Sequence, residues 1–333
     1  MRILLMAGGG GTRLWPLSTE ERPKPFLSLL SGKSLLAETA ARLASFSGEI
    51  YVAIHERHVA LLRRELRSLP PEKILREPER RNTGPAILSA AVAFAKDGDP
   101  VTAVVPSDQT VSDPDAFRRA LLTAARVCEK SSVVILAVPP TRPETDFGYL
   151  ELSGEASGEE FEVVRFIEKP EKTRAEESIR AGFFWNAGVF VFRPSRLLAE
   201  AKRVAPGLVR SVEEYGEKLR GGDANGAREI YARLPVISID HSVMEKASGV
   251  RAVPLKAGWN DVGTWRSVRD LRGPSDDSGN LVLADVPVLA PGVRETAIVL
   301  GAGGLLVMPF EREGELKSAI ERLEREQPGP KKS

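Results

Sequence analysis

Up to about residue 140 the chain alternates two patterns of apolar and polar positions. Short, almost uninterrupted apolar runs at Ile3–Met6, Ile50–Ile54, Ile74–Arg76, Val101–Val105 and Val133–Val138 predict strands buried on both faces. Between them, Ser34–Phe46, Arg57–Leu66, Ala86–Ala95 and Ala116–Glu129 carry helical periodicity. Strands covered on both faces and joined by helices make a doubly wound parallel layer, with ligands expected beyond the strands' C-terminal ends.

The pattern then changes. Gly148–Leu152 and Val163–Glu168 alternate like antiparallel strands, and Phe183–Phe192 is a long apolar strand with asparagine and glycine inside it. Helices are predicted at Ser195–Val204, around Gly207–Leu219 and at Ala227–Leu234. The polar stretch Leu271–Ser278 is rich in turn formers and reads as a boundary. It divides a large domain, 1–270, from a small one, 271–333. The small domain holds strand-like pieces at Asn280–Val286, Thr296–Leu300 and Gly304–Met308, then a helix, Arg312–Glu326, expected to be solvated. So few strands are not stable alone, so this β domain should dock on the main one or on a partner subunit.

Composition narrows the class without naming it. A chain of 333 residues with 42% hydrophobic and 28% charged residues is an ordinary globular balance. The net charge of +1, with no basic block beyond Lys331–Lys332, argues against a nucleic-acid partner. No apolar run reaches the ~20 residues that span a bilayer, so no membrane partner is expected. The N-terminus reads as a first strand rather than a signal peptide, and a cytoplasmic location is the default expectation. Cys128 is the one cysteine, with apolar helical neighbours that predict a buried, inert thiol. His55 and His58 are spaced for one helix face but lack a third ligand, so solvated histidines are expected there.

The candidate chemistry begins after the first strand, in Met6-Ala-Gly-Gly-Gly-Gly-Thr-Arg-Leu-Trp-Pro-Leu-Ser18. Consecutive glycines let the backbone turn several N–H groups toward one anion, though a bare glycine run alone is better read as a flexible turn. Arg13 and Lys24 add side-chain charge, one a planar fork and the other a point charge. The P-loop pattern fails because Leu27 stands where its first glycine belongs. The dinucleotide fingerprint fails at Arg13, and the second strand ends in Ile54-His55 rather than an acid. Asp108 follows an apolar strand, and Asp261 lies between Trp259 and Trp265, an odd place for a charge unless something binds it. Read alone, Asp108 is better taken as a helix cap. Glu77 and Asn82 are the polar groups of a loop leading into an apolar helix, and a carboxylate with an amide suits guanine. A cap at Asn82 or Thr83 competes with that reading.

These segments together resemble the sugar-1-phosphate nucleotidyltransferase family, whose signature is Gly-Gly-x-Gly-Thr-Arg-Leu followed by Pro-Lys. Arg13-Leu14-Trp15-Pro16-Leu17-Ser18 and Pro23-Lys24-Pro25-Phe26 point to its mannose-1-phosphate guanylyltransferase branch. The likeness runs in colinear order over about residues 1–270. It takes in Arg81-Asn82-Thr83-Gly84, Pro106-Ser107-Asp108, Phe147-Gly148-Tyr149, Phe166-Ile167-Glu168-Lys169-Pro170, Trp185-Asn186-Ala187-Gly188, Val243-Met244-Glu245-Lys246 and Trp259-Asn260-Asp261-Val262-Gly263-Thr264-Trp265. Gln109, Pro25, Phe147 and His241 depart from the family pattern, and Phe147 and Pro25 bear on substrate preference.

The resemblance implies a Rossmann-like, doubly wound mixed sheet, the nucleotide-diphospho-sugar transferase fold, with a short β-helix-like C-terminal domain that helps form a homodimer. It implies GTP and mannose 1-phosphate as substrates and Mg²⁺ held by Asp108 and Asp261. Arg13 and Lys24 would be catalytic. Ala7, Gly8, Gly9, Gly10, Gly11, Thr12, Glu77, Asn82, Ser107 and Asp108 would bind the nucleotide. Gly148, Glu168, Lys169 and Asn186 would bind the sugar phosphate. Longer bifunctional relatives add an isomerase domain; the segment after Leu271 has no His-rich run, so no isomerase is expected. Two other readings stay open: another NTP and hexose 1-phosphate pair, or a non-catalytic nucleotide-sugar sensor on the same fold.

Overall fold

The computed structural model describes residues 1–9, 12–46, 49–156 and 159–326. The strands are β1 (Arg2–Met6), β2 (Ile50–His55), β3 (Ile74–Glu77), β4 (Thr102–Pro106), the two-residue β5 (Thr110–Val111), β6 (Val133–Val138), β7 (Tyr149–Ala156), β8 (Glu160–Ile167), β9 (Phe184–Phe192), β10 (Val250–Pro254), the two-residue β11 (Trp259–Asn260), β12 (Leu281–Leu283), β13 (Thr296–Gly301) and β14 (Gly304–Pro309).

The chain divides into two compact units. The first comprises Met1–Gly8, Ala40–Ser107 and Val111–Trp259, and the second Gly9–Thr39, Asp108–Thr110 and Asn260–Ser333. The contacts therefore do not divide at 270/271. The cause lies in the second unit's own core. There Leu14, Leu27 and Leu29 of the early segment pack with Val262, Trp265, Val299, Met308 and Ile320. Trp265 also donates its indole N–H to the Trp15 carbonyl at 3.0 Å. Gly303 lies so close to Trp15 that a Cβ there would stand 2.8 Å from the indole nitrogen. The C-terminal strands are thus half of a core whose other half is the glycine-rich signature's continuation.

In the first unit, described residues form a nine-stranded sheet in the order β3-β2-β1-β4-β9-β6-β10-β8-β7. β1, β2, β3 and β4 are parallel, with Leu4 opposite Tyr51 on one side and Val104 on the other. The parallel run stops there. β9 inserts antiparallel between β4 and β6, so Val133–Val138 does not extend the parallel layer as its pattern suggested. β9 can serve two neighbours because Val189, Phe190, Val191 and Phe192 are all buried, a strand apolar on both faces. The apolar helix Thr83–Lys96 covers this sheet, burying Ile87, Leu88, Ala91 and Phe94. At ~25 cal/mol per Å² the buried Ile87, Leu88 and Phe94 side chains stabilise by roughly 1.5–3 kcal/mol each.

In the second unit β12 and β13 pair in parallel and β13 and β14 antiparallel. The terminal helix is shorter than its pattern suggested, Leu316–Glu326 after a 3₁₀ turn, Phe310–Glu315. It is also not wholly solvated, since Leu316 and Ile320 are buried. His58 likewise differs from expectation: it is buried, while His55 caps the turn by accepting from Arg57 N–H. Cys128 is fully buried, and burial pushes its thiol up to about 11, an inert group as expected. No helix among the described residues is long and apolar enough to cross a membrane.

Candidate functional site

Within the second unit, three separated stretches of chain bring four charged side chains together. Lys24 sits on the 3₁₀ turn Lys24–Phe26, which is fixed by burial of Pro25 and Phe26. Its Nζ lies 3.1 Å from Asp108 Oδ2 and 3.9 Å from Asp261 Oδ1, and donates to the Asp261 backbone oxygen at 2.5 Å. Arg13 reaches Asp261 Oδ2 at 3.8 Å. Only 7% of the Lys24 side chain is exposed, so its ammonium depends on these carboxylates for compensation.

The turn presenting Asp261 is specialised. Val262 holds φ at 52°, a left-handed conformation unfavourable for a β-branched residue. Asn260 stabilises it by accepting from Val262 N–H at 2.7 Å, and Val262 is itself fully buried. Gly263 follows, and a Cβ there would stand 2.5 Å from Asp261 Oδ2 and push that carboxylate aside.

Among the described residues no three His, Cys, Asp or Glu side chains gather as a metal cluster. Two carboxylates converging on one ammonium are nevertheless a hard-oxygen pair of the kind Mg²⁺ takes, with its remaining ligands drawn from phosphates and waters. The donor set fits that ion.

In the first unit, the predicted base-binding residues gather at the C-terminal ends of β1 and β3. Glu77 is buried and accepts from the Tyr231 hydroxyl at 2.9 Å. Burial pushes its carboxyl up to about 7, against the Tyr231 hydrogen bond, which acts the other way. A Cβ on Gly8 would stand 3.3 Å from Glu77 Oε1, so the missing side chain leaves that oxygen approachable. Gly9, which belongs to the second unit, has open space where a Cβ would stand. Ala7 instead spends its N–H on the Ala53 carbonyl, and Ser107 turns both N–H and hydroxyl to the Met6 carbonyl. These two residues fasten the strand ends. Asn82 is the helix cap, at φ 66° and accepting from Thr83 N–H at 2.7 Å. Gly10 and Gly11 lie outside the described residues, as does the side chain of Thr12.

A second cluster in the first unit joins all four residues predicted for the sugar phosphate. Asn186 N–H donates to the Gly148 carbonyl at 2.8 Å, and a Cβ on Gly148 would stand 2.8 Å from Glu168 Oε2. Lys169, at φ 46°, reaches back to Glu168 Oε1 at 3.2 Å. The competing structural readings are thus present too: an ion pair at Glu168-Lys169, and a bulge at Asn186. The β6–β9 register shifts beside Ala137, which pairs with Asn186, and Asn186 Oδ1 accepts from Gly188 N–H at 2.8 Å. Phe147 lies edge-on to Trp185 and Trp259, with centroids 5.1 and 5.5 Å away.

Two acids here were given no role by the sequence, although Glu245 stands in one of its family-like motifs. Asp240 accepts from Asn186 Nδ2 at 3.1 Å, and Glu245 accepts from the Glu168 N–H at 3.3 Å. Asp240 follows Ser238, which caps the short helix Ile239–Ser242, so locally it reads as an ordinary first-turn acid.

A nine-stranded mixed sheet with polar groups at its strand ends, and a separate charged cluster, define an α/β protein. Residues 2–273 match the Nucleotidyl transferase family, and the chain belongs to it. It is 33% identical over 349 aligned residues to the mannose-1-phosphate guanylyltransferase of Escherichia coli K12, covering 96% of this chain and 73% of that protein. It is 39% identical over 293 residues to the xanthan biosynthesis protein XanB of Xanthomonas campestris pv. campestris B100. That match takes in 85% of this chain but spans only 62% of XanB's length. Among solved structures, one from Thermus thermophilus, named a mannose-1-phosphate geranyltransferase, superposes with a TM-score of 0.86 at 36% identity. The superposition covers 97% of this chain and 99% of that one.

Proposed function

We propose that this chain transfers GMP from GTP to α-D-mannose 1-phosphate, giving GDP-mannose and pyrophosphate. The observation that carries the reading is the convergence of Arg13, Lys24, Asp108 and Asp261 within one compact unit. The choice of base and sugar draws on the guanylyltransferase relatives that match nearly the whole chain.

The chemistry asks little of side-chain acids or bases. A phosphate oxygen of mannose 1-phosphate is the nucleophile, already largely ionised near neutrality because its second pKa is ~6. It attacks the α-phosphorus of GTP in line, the bond to the bridging oxygen breaks, and the electron pair leaves with pyrophosphate. Bringing two polyanions together is the obstacle, so positioning and charge neutralisation supply the rate. Lys24 and Arg13 would face the phosphates, while Asp108 and Asp261 would hold Mg²⁺. When bound, the ion would neutralise phosphate charge during transfer. Glu77 Oε1 and the glycine backbone near Gly8 would accept and donate to guanine. Glu168 and Asn186 would hold the sugar hydroxyls, and Lys169 the sugar phosphate. A homodimer in the cytoplasm, through the C-terminal strands, completes the proposal.

Pyrophosphate release measured for GTP, ATP, UTP and CTP against mannose and glucose 1-phosphates, with and without Mg²⁺, tests it. GTP with mannose 1-phosphate should be fastest by at least about tenfold and should need the metal. A preference for another pair would replace the substrates but keep the reaction; no release from any pair would support the sensor reading instead.

Gly148→Ala supplies a narrower check. The new Cβ would press Glu168 Oε2 aside. The KM for the sugar phosphate should rise about tenfold with the KM for GTP unchanged, the loss of one hydrogen-bonded contact. Equal shifts in both constants would assign Gly148 a merely structural part.

A further inference from the structure

Asn186 has a side-chain amide whose two ends are chemically distinct but nearly equal in shape, so something must decide which end meets a ligand. Two partners decide it here. Gly188 N–H can be accepted only by the amide oxygen, at 2.8 Å, and Asp240 Oδ1 takes a hydrogen from Nδ2 at 3.1 Å. An ionised carboxylate is acceptor-only, so a flipped amide would set oxygen against oxygen. Asp240 uses one of the two amide hydrogens and leaves the other for a ligand.

We propose that Asp240 is a positioning residue of the sugar site: by accepting from Asn186 Nδ2 it fixes that amide as a hydrogen-bond donor beside Glu168, the acceptor. The inference rests on the reading of Gly148, Glu168 and Asn186 as the sugar-phosphate site. A fixed donor next to a fixed acceptor matches hydroxyls in a set order, which a freely flipping amide would not.

The lock sits among charges. Burial, with the Glu168 carboxylate nearby, pushes the Asp240 carboxyl above its usual range, while Lys169 and His241 pull the other way. Glu245 also faces this group of charges, holding His241 Nδ1 at 3.2 Å and the Glu168 N–H. A protonated Asp240 would keep a carbonyl oxygen to accept from Nδ2, and a flipped amide would still set Nδ2 against the Gly188 N–H, so the lock holds in either form.

Steady-state kinetics of wild type, Asp240→Asn and Asp240→Ala test this, using whichever hexose 1-phosphate the wild type accepts. Asparagine keeps an oxygen for Asn186 Nδ2 but does not titrate. Asp240→Ala should raise the KM for the sugar phosphate about 10–50-fold, leaving kcat and the KM for GTP within about threefold. Asp240→Asn should stay within about threefold of wild type at pH 8. Between pH 8 and pH 6 the ratio of the wild-type and Asp240→Asn KM values should hardly change, since both side chains keep an accepting oxygen and the substrate's own titration cancels. An asparagine variant as impaired as the alanine one, or an alanine variant that shifts both KM values alike, would overturn the inference while leaving the sugar site intact. If no hexose 1-phosphate is turned over by the wild type, the parent reading falls and this one with it.

Discussion

Asp261→Asn should lower kcat/KM at limiting Mg²⁺ by about 10²–10³-fold, with a far smaller loss when the metal is saturating. The substitution removes one of the two carboxylates that approach Lys24 and leaves the shape of the side chain. The fold should survive it. Lys24 bonds to the Asp261 backbone oxygen, which asparagine keeps, and the Val262 turn is held by Asn260 rather than by Asp261. The ion pair to Arg13 is long, at 3.8 Å, and Arg13 is 45% exposed, so its loss contributes little to stability. Asn260→Ala makes the contrast. It should loosen the turn and lower turnover at every Mg²⁺ concentration, since it misplaces the carboxylate without removing it. Near-wild-type turnover of Asp261→Asn at limiting Mg²⁺ would sink the pairing of Asp108 with Asp261.

Much of this architecture was readable from local pattern, because the central strands are buried on both faces and write themselves as unbroken apolar runs. Val133–Val138 was found to the residue. Its neighbours were not, since strand order is decided by segments far apart in sequence, here by β9. The helix Lys172–Arg180 was missed for the opposite reason: it buries only Ala175 and Ser178 and is polar almost throughout. The boundary after Leu271 misled because turn formers mark a loop, whereas the unit is set by which residues share a core, here Trp265 with Leu14. Charged site residues stood out where they broke an apolar context, as Asp108 and Asp261 do. Asp240 did not, because its partner Asn186 lies 54 residues away and only the folded chain joins them.

Glu77→Gln should make the protein more stable at pH 8 and a poorer enzyme for GTP. Burial raises the Glu77 carboxyl from 4.5 to about 7. Its neutral form is therefore favoured in the folded state, and stability from this group is full below pH 4.5 and lost as pH rises through 7. At pH 8 the cost is on the order of 3 kcal/mol, which the uncharged amide would recover. The melting temperature should rise by on the order of 5 °C at pH 8 and hardly move near pH 4.5. Tyr231 still has an oxygen to donate to, so the amide nitrogen would be turned toward Gly8 and the base. There it would oppose the guanine N1–H, two donors face to face. The kcat/KM for GTP should fall about 10²-fold while the weak activity with ATP changes little, erasing the preference between bases. A stabilised variant that kept its GTP preference would show that Glu77 is buried for structure alone, and would hand base reading to the backbone near Gly8 and Gly9.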